Sequence, residues 1–160
     1  MADSFWAKDY IEILAAKHLT TGIDANNFGP HKEVTRAEFA AFLVRALEIP
    51  TGQYKGKFID VAQDAWYAPE VEAANEAGLV LGVGNGMFNP NANISREEMA
   101  VMIMRAYAYV MNKNIKEEIK DSTVRFVDIE TASDWAIESI MAAQATGIIK
   151  GINVSGGLAF

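Results

Sequence analysis

Apolar residues recur at helical spacing in several segments of the chain, and turn-forming residues stand between these segments. The first segment predicts a helix with one apolar face. That face comprises Trp6, Tyr10, Ile11, Ile13 and Leu14. The segments that follow Thr35 and Ser95 are apolar around most of their circumference, which is typical of helices at the centre of a bundle. The pattern therefore predicts an all-α fold made of helix–loop–helix units.

Three tryptophans mark an internal repeat. Trp6, Trp66 and Trp135 are each followed, sixteen residues later, by a glycine. A Phe-x-Pro sequence follows each of the first two glycines, and a Phe-x-Asp sequence precedes each of the last two tryptophans. Agreement at so many positions in one register indicates a repeat of roughly 50 to 60 residues.

The helix that ends each complete repeat has a defined start. Thr35 with Glu38, and Ser95 with Glu98, match the capping box. In this motif a hydroxyl and a carboxylate each accept a hydrogen bond from a backbone amide of the first turn. We therefore assign these four residues to helix capping first.

Arg36 and Arg96 occupy the first helical position after each cap, where a positive charge does not help the helix. The helix dipole is positive at that end, so a cation there costs about 0.3–1 kcal/mol at an exposed site. A solvated arginine paired with an acidic neighbour would not favour arginine at both matching positions. A bound anion would, because free amides, the dipole and a guanidinium then converge on one carboxylate or phosphate.

The composition limits the possible functions. Of 160 residues, 51% are apolar, which excludes a disordered chain and supplies a core. There are no cysteines, so disulfides and thiolate metal sites are excluded. The net charge of −7 disfavours nucleic acid as a partner. No apolar run approaches the roughly 18 residues of a membrane span, so we expect no membrane partner.

The repeat resembles the S-layer homology (SLH) domain family over essentially the whole chain. The matches are TRAE at 35–38, its variant SREE at 95–98, the Phe-x-Asp…Trp openings and the Gly…Phe-x-Pro loops. The resemblance implies a pseudo-threefold bundle of three modules, with the TRAE-type helices at its centre. It also implies a protein outside the cell, at the bacterial cell wall or S-layer. Such proteins bind secondary cell wall polysaccharide, often a pyruvylated N-acetylmannosamine, in grooves between modules.

The resemblance also implies roles for particular residues. Arg36 and Arg96 would hold the carboxylate of the pyruvyl ketal. The groove around each would be formed by Gly22, Gly82 and Gly84, by Trp66 and Trp135, and by Asp60 and Asp128. The glycines would let backbone amides approach the sugar, and the aspartates would shape the groove or hydrogen-bond there. For the tryptophans a purely structural role stays open, because Trp6 begins an apolar helix face. No cofactor and no metal is implied.

These matches divide the chain into 1–50 as module 1, 56–111 as module 2, 112–122 as a solvated linker helix, and 124–160 as module 3. The third module has its tryptophan segment but no TRAE-type helix, and a longer Gly-rich stretch precedes Phe160. We expect this chain to be a window from a longer repeat region. The missing central helix would be supplied by a separate segment or by another chain.

Other functions fit these residues less well. The carboxylate pairs at Glu70–Glu72 and Glu117–Glu118 have no nucleophile–histidine set beside them, so we predict no enzyme activity. A calcium site at 24–27 would lack the twelve-residue loop and the closing glutamate. The alternative is a protein–protein interaction or S-layer assembly scaffold that binds no glycan.

Overall fold

A computed structural model describes residues 6–20, 22–24, 27–120, 122 and 125–160. In these residues the regular structure is almost entirely helical. The helices are α1 (Lys8–Ala16), α2 (Arg36–Ala46), α3 (Ala68–Glu76), α4 (Arg96–Met111), α5 (Lys116–Ile119) and α6 (Asp134–Ala145), with a 3-10 turn at Ile129–Thr131. Strands β1 (Ile152–Val154) and β2 (Gly157–Ala159) form an antiparallel hairpin. The predicted all-α bundle is confirmed, with this hairpin in place of a plain Gly-rich loop.

Each central helix packs against the tryptophan helix of the following module. Helix α2 packs on α3, α4 packs on α6, and α2 and α4 also contact each other. Alanines allow close approach between α2 and α3, where those that are almost completely buried are Ala37, Ala40, Ala41, Ala68, Ala73 and Ala74. The modules are therefore interleaved, because the core between α2 and α3 needs residues of both.

Backbone hydrogen bonds join the first two modules at the start of α2. The amides of Arg36 and Ala37 donate to the carbonyls of Ala92 and Pro90, at 2.9 and 3.1 Å. Thr35 also forms an isolated antiparallel bridge with Asn93. The loop before α4 thus satisfies amides that the first turn of α2 leaves without intrahelical partners.

Both capping boxes are present in the structure. The hydroxyl of Thr35 accepts from the Glu38 amide at 3.2 Å, and the Glu38 carboxylate accepts from the Thr35 amide at 2.9 Å. Ser95 and Glu98 make the same two bonds at the same two distances. The two central helices therefore begin in the same way, sixty residues apart.

The apolar face predicted for α1 is mostly uncovered in the structure. Only Ile11 of the helix is buried, and Leu14 is half-buried, whereas Trp6 is 81% exposed, Tyr10 66% and Ile13 55%. Periodicity marks residues that favour burial, but a neighbouring element has to cover them. Helices α3 and α6 are covered by α2 and α4.

The segment predicted as a linker helix is more closely packed than its charges suggest. Its helix, α5, has four residues. Ile115 and Ile119 pack against Met104 and against the alanines of α6. Residues 1 and 124, on which predicted boundaries fall, and residue 121 within the predicted linker lie outside the described residues. None of the described helices is both long and apolar enough to cross a membrane.

Replacing Thr35 by alanine should lower the free energy of unfolding by about 1 kcal/mol, because the Glu38 amide loses its acceptor. Thr35→Ser keeps the acceptor and is the matched control. Urea denaturation of the three proteins measures the difference. Equal losses for alanine and serine would show that the cap contributes nothing.

Candidate functional site

A cleft of about 460 Å³ opens beside α4. Module 1 contributes Arg36, module 2 contributes the 80–83 loop and one face of α4, and module 3 contributes Trp135. On that face of α4, the polar lining residues are Glu98 and Arg105. The structure thus brings together Arg36, Gly82 and Trp135, three of the residues predicted from the sequence, and draws each from a different module.

Arg36 is buried and has partners on three sides. Its Nη1 pairs with Oε1 of Glu98 at 2.7 Å, and its Nε donates to the carbonyl of Phe88 at 2.9 Å. The guanidinium also lies over the Phe88 ring, 5.1 Å from the centroid. All of these partners belong to module 2. Arg36 therefore connects two modules as well as lining the cleft, and Glu98 balances its charge.

Glu98 divides its carboxylate between two tasks. Oε2 accepts from the Ser95 amide in the capping box, and Oε1 pairs with Arg36. The capping role is predicted by the sequence pattern, whereas the pairing with Arg36 is not. Its counterpart Glu38 likewise caps α2 with one oxygen, but its other oxygen pairs with the surface residue Lys32 at 2.8 Å.

Asp60 acts on the cleft through Phe88. Its two carboxylate oxygens accept from the amides of Phe88 and Asn89, at 2.8 and 2.7 Å. These bonds hold the loop whose carbonyl and ring contact Arg36. Asp60 is thus a positioning residue for this loop.

Arg96 lies in a similar arrangement that the sequence did not predict. Its guanidinium is 4.9 Å from the centroid of the Phe160 ring, and Asp128 accepts from the Phe160 amide at 2.8 Å. Phe160, which follows the β-hairpin, therefore takes the place that Phe88 has in module 2. Arg96 itself is exposed, and no carboxylate among the described residues pairs with it.

The predicted loop glycines differ in what surrounds them. At Gly82 (φ +84°) an added Cβ would lie 2.6 Å from the Met87 carbonyl oxygen, and at Gly22 (φ +76°) 2.6 Å from that of Asn27. Both glycines are therefore required by the turn of their own loop. Gly84 (φ +101°) has open space around it. Of the three, Gly82 lines the cleft.

The tryptophans predicted as groove walls are both exposed, Trp66 by 56% and Trp135 by 58%. Trp135 lines the cleft. Trp66 instead contacts Tyr67, and Arg45 lies over its ring at 5.8 Å. Exposure on this scale means that neither side chain mainly fills the core.

Sequence reasoning missed Arg105, which lines the cleft and is half-buried. Burial lowers the pKa of its guanidinium. The repeat could have identified Arg105 as a candidate, because it lies sixty residues after Arg45, just as Arg96 lies sixty residues after Arg36.

The Asp24 carboxylate is engaged within its own turn, where it accepts from the backbone and side-chain amides of Asn27 at 2.9 and 3.0 Å. Asn26, the third residue considered for calcium, lies outside the described residues. Across the described part of the chain, no group of three His, Cys, Asp or Glu side chains could hold a metal ion.

The sequence pattern of the S-layer homology domain matches residues 1–40, 57–100 and 125–153. This chain belongs to the S-layer homology domain family. Its SLH modules share 43% identity over 146 residues with an amylopullulanase of Thermoanaerobacterium thermosulfurigenes, covering 91% of this chain and 8% of the relative. The exoglucanase XynX of Acetivibrio thermocellus is 44% identical over 146 residues, which cover 91% of this chain and 13% of that protein. The surface-layer 125 kDa protein of Lysinibacillus sphaericus is 31% identical over 153 residues, which cover 96% of this chain and 12% of that protein.

The SLH chain spans only about a tenth of the length of these relatives. What the enzymes and the surface-layer protein have in common with it is therefore a short region of SLH modules. SLH domains serve in anchoring at the cell surface, and the chain is accordingly extracellular and associated with the cell wall.

Gly82→Ala should destabilise the protein more than Gly84→Ala. Both substitutions place a side chain at positive φ, which costs about 1 kcal/mol. At Gly82 the new Cβ also meets the Met87 carbonyl and, at 2.8 Å, the Phe58 ring, so we expect a total loss of about 3 kcal/mol. Chemical denaturation compares the two variants. A larger loss for Gly84→Ala would contradict the geometry of this loop.

Proposed function

We propose that this chain anchors a cell-surface protein by binding secondary cell wall polysaccharide, and that the recognised unit is a pyruvylated N-acetylmannosamine terminus. The observation that supports this most strongly is the composition of the cleft. It places two arginines and an exposed indole around one space, in a protein whose net charge is −7. That combination suits a sugar with a single acidic substituent.

The cleft offers the contacts that such a ligand needs. A carboxylate binds well to forked guanidinium N–H groups. The face of Trp135 can pack on the apolar C–H face of a sugar ring, and the backbone at Gly82 lies at the cleft wall. The overall negative charge of the protein does not prevent this, because charges further away than about 8 Å are largely screened at physiological ionic strength.

Arg96 supports a second carboxylate site. It is exposed at the first position of α4, beside Phe160, and no described carboxylate neutralises it. The amides of the first helical turn lie close to this position. We propose that the acidic sugar binds there as well.

The third central helix is proposed as a further partner, supplied by a separate segment or by another chain. In the structure a TRAE-type helix covers α3 and another covers α6, whereas three large side chains of the first tryptophan segment are exposed. Glu38 supports the same proposal. Its counterpart Glu98 pairs with a motif arginine of the preceding module, whereas Glu38 pairs with the surface residue Lys32.

The glycan proposal predicts a preference for the pyruvylated ligand. In a calorimetric titration, a pyruvylated disaccharide from the wall polymer should bind at least about tenfold more tightly than its depyruvylated form, because charged hydrogen bonds contribute about 1.5–3 kcal/mol. Equal affinities would refute recognition of the carboxylate.

Two variants separate glycan binding from the scaffold alternative. Arg96→Gln should remove the second site, and Arg36→Lys should weaken the first, since lysine lacks the forked geometry but still balances Glu98. Wall polymer pulldown and the circular dichroism spectrum of each variant are compared with wild type. Unchanged pulldown in both variants would favour a scaffold that binds no glycan.

The helix proposal predicts that the isolated chain is not a simple monomer. We expect sedimentation velocity to show self-association, and addition of a peptide with a TRAE-type helix to suppress it, because the peptide covers the exposed side chains of the α1 region. A monodisperse monomer without added peptide would contradict the proposal.

A further inference from the structure

Arg45 and Arg105 occupy matching positions on the two central helices, and they have different surroundings. Arg45 pairs with Glu70 at 3.0 Å, and its guanidinium lies over the ring of Trp66. Arg105 shares the cleft with Trp135, the next tryptophan of the repeat. In both repeats an arginine of the central helix thus lies in the same region as a tryptophan. Only Arg45 has an acidic partner among the described residues.

A difference at one position of the repeat explains why Arg105 lacks the acidic partner that Arg45 has. Glu70 lies four residues after Trp66, and the residue four after Trp135 is Ser139. Ser139 is buried and uncharged, so the helix that packs on α4 offers no carboxylate at that point. Within the described part of the chain Arg105 has neither an ion pair nor a hydrogen bond.

The charges of the cleft therefore do not cancel. Arg36 is balanced by Glu98 and held by the Phe88 carbonyl. Arg105 stays charged, since a guanidinium does not lose its proton in proteins, yet it is half-buried and has lost part of its hydration. The cleft is left with one uncompensated positive charge beside an exposed indole.

We propose that Arg105 is the anion anchor of this cleft, and that the carboxylate of a singly charged sugar ligand pairs with it as Glu70 pairs with Arg45. The proposal rests on the glycan-binding function proposed above and names the residue that supplies the charge. Arg36 is then mainly a positioning residue. It keeps the cleft wall in place and can donate its remaining N–H groups to the ligand.

Substitutions at Ser139 test the proposal without touching the cleft arginines. Ser139→Glu restores the acidic residue that module 2 has, and Ser139→Gln has the same size without the charge. The binding of pyruvylated disaccharide is followed by NMR at the indole N–H of Trp135, which reports this cleft. We expect Ser139→Glu to weaken binding by about tenfold or more, and Ser139→Gln to bind at least several times more tightly than Ser139→Glu.

Arg105→Gln provides a second test in case position 139 does not tolerate a larger side chain. It should also weaken binding of the pyruvylated disaccharide by about tenfold, and leave the depyruvylated form unchanged. Arg45→Gln is the matched control, because Arg45 has its own acidic partner and lies outside this cleft. It should leave the titration at Trp135 unaltered.

The outcomes distinguish the two proposals. If wild type prefers the pyruvylated disaccharide and Arg105→Gln retains the full preference, the assignment of Arg105 is wrong and the proposed function stands. If neither disaccharide shifts the Trp135 signal of wild type, both proposals fail for this cleft.

Discussion

A buried guanidinium needs partners for its charge and for its N–H groups. The partners of Arg36 among the described residues all belong to the neighbouring module. Breaking such a buried pair by removing one partner generally costs about 3–5 kcal/mol. Module 1 therefore depends on Glu98 and Phe88 of module 2 for the start of its central helix. The cleft exists at this junction because the loop, the helix face and the tryptophan that line it are brought together by the same interleaving.

The same interaction decides how charge is distributed in the cleft. A carboxylate already occupies one side of Arg36, so the residue that was expected to supply the charge for a ligand is balanced within the protein. Arg105 is not balanced in this way, since the position of Glu70 is taken by a serine in the next repeat. A single difference between repeats thus separates an arginine that is balanced within the protein from one that can receive an anion.

The same contacts among an aspartate, a phenylalanine and an arginine occur twice in the structure. The phenylalanine lies in a different local structure each time. In module 2 the phenylalanine comes from a Phe-x-Pro loop, and in module 3 from the residue that follows a β-hairpin. The aspartate accepts from the phenylalanine amide, and the ring lies beneath the motif arginine of the preceding module. This relation among Asp60, Asp128 and the two arginines could not be predicted from the sequence, because the contacts join residues that are 28 or more positions apart.

The repeat, the helical class and the starts of the two central helices could all be predicted from the amino-acid sequence. These follow from local rules, since a capping box closes within four residues and helical periodicity depends on neighbours along the chain. Tertiary structure alone decided which predicted residues share one cleft, that α1 keeps large apolar side chains exposed, and that Glu98 rather than solvent balances Arg36. The physical reason is that burial and charge pairing depend on the residues another module places alongside, which spacing within one repeat does not specify.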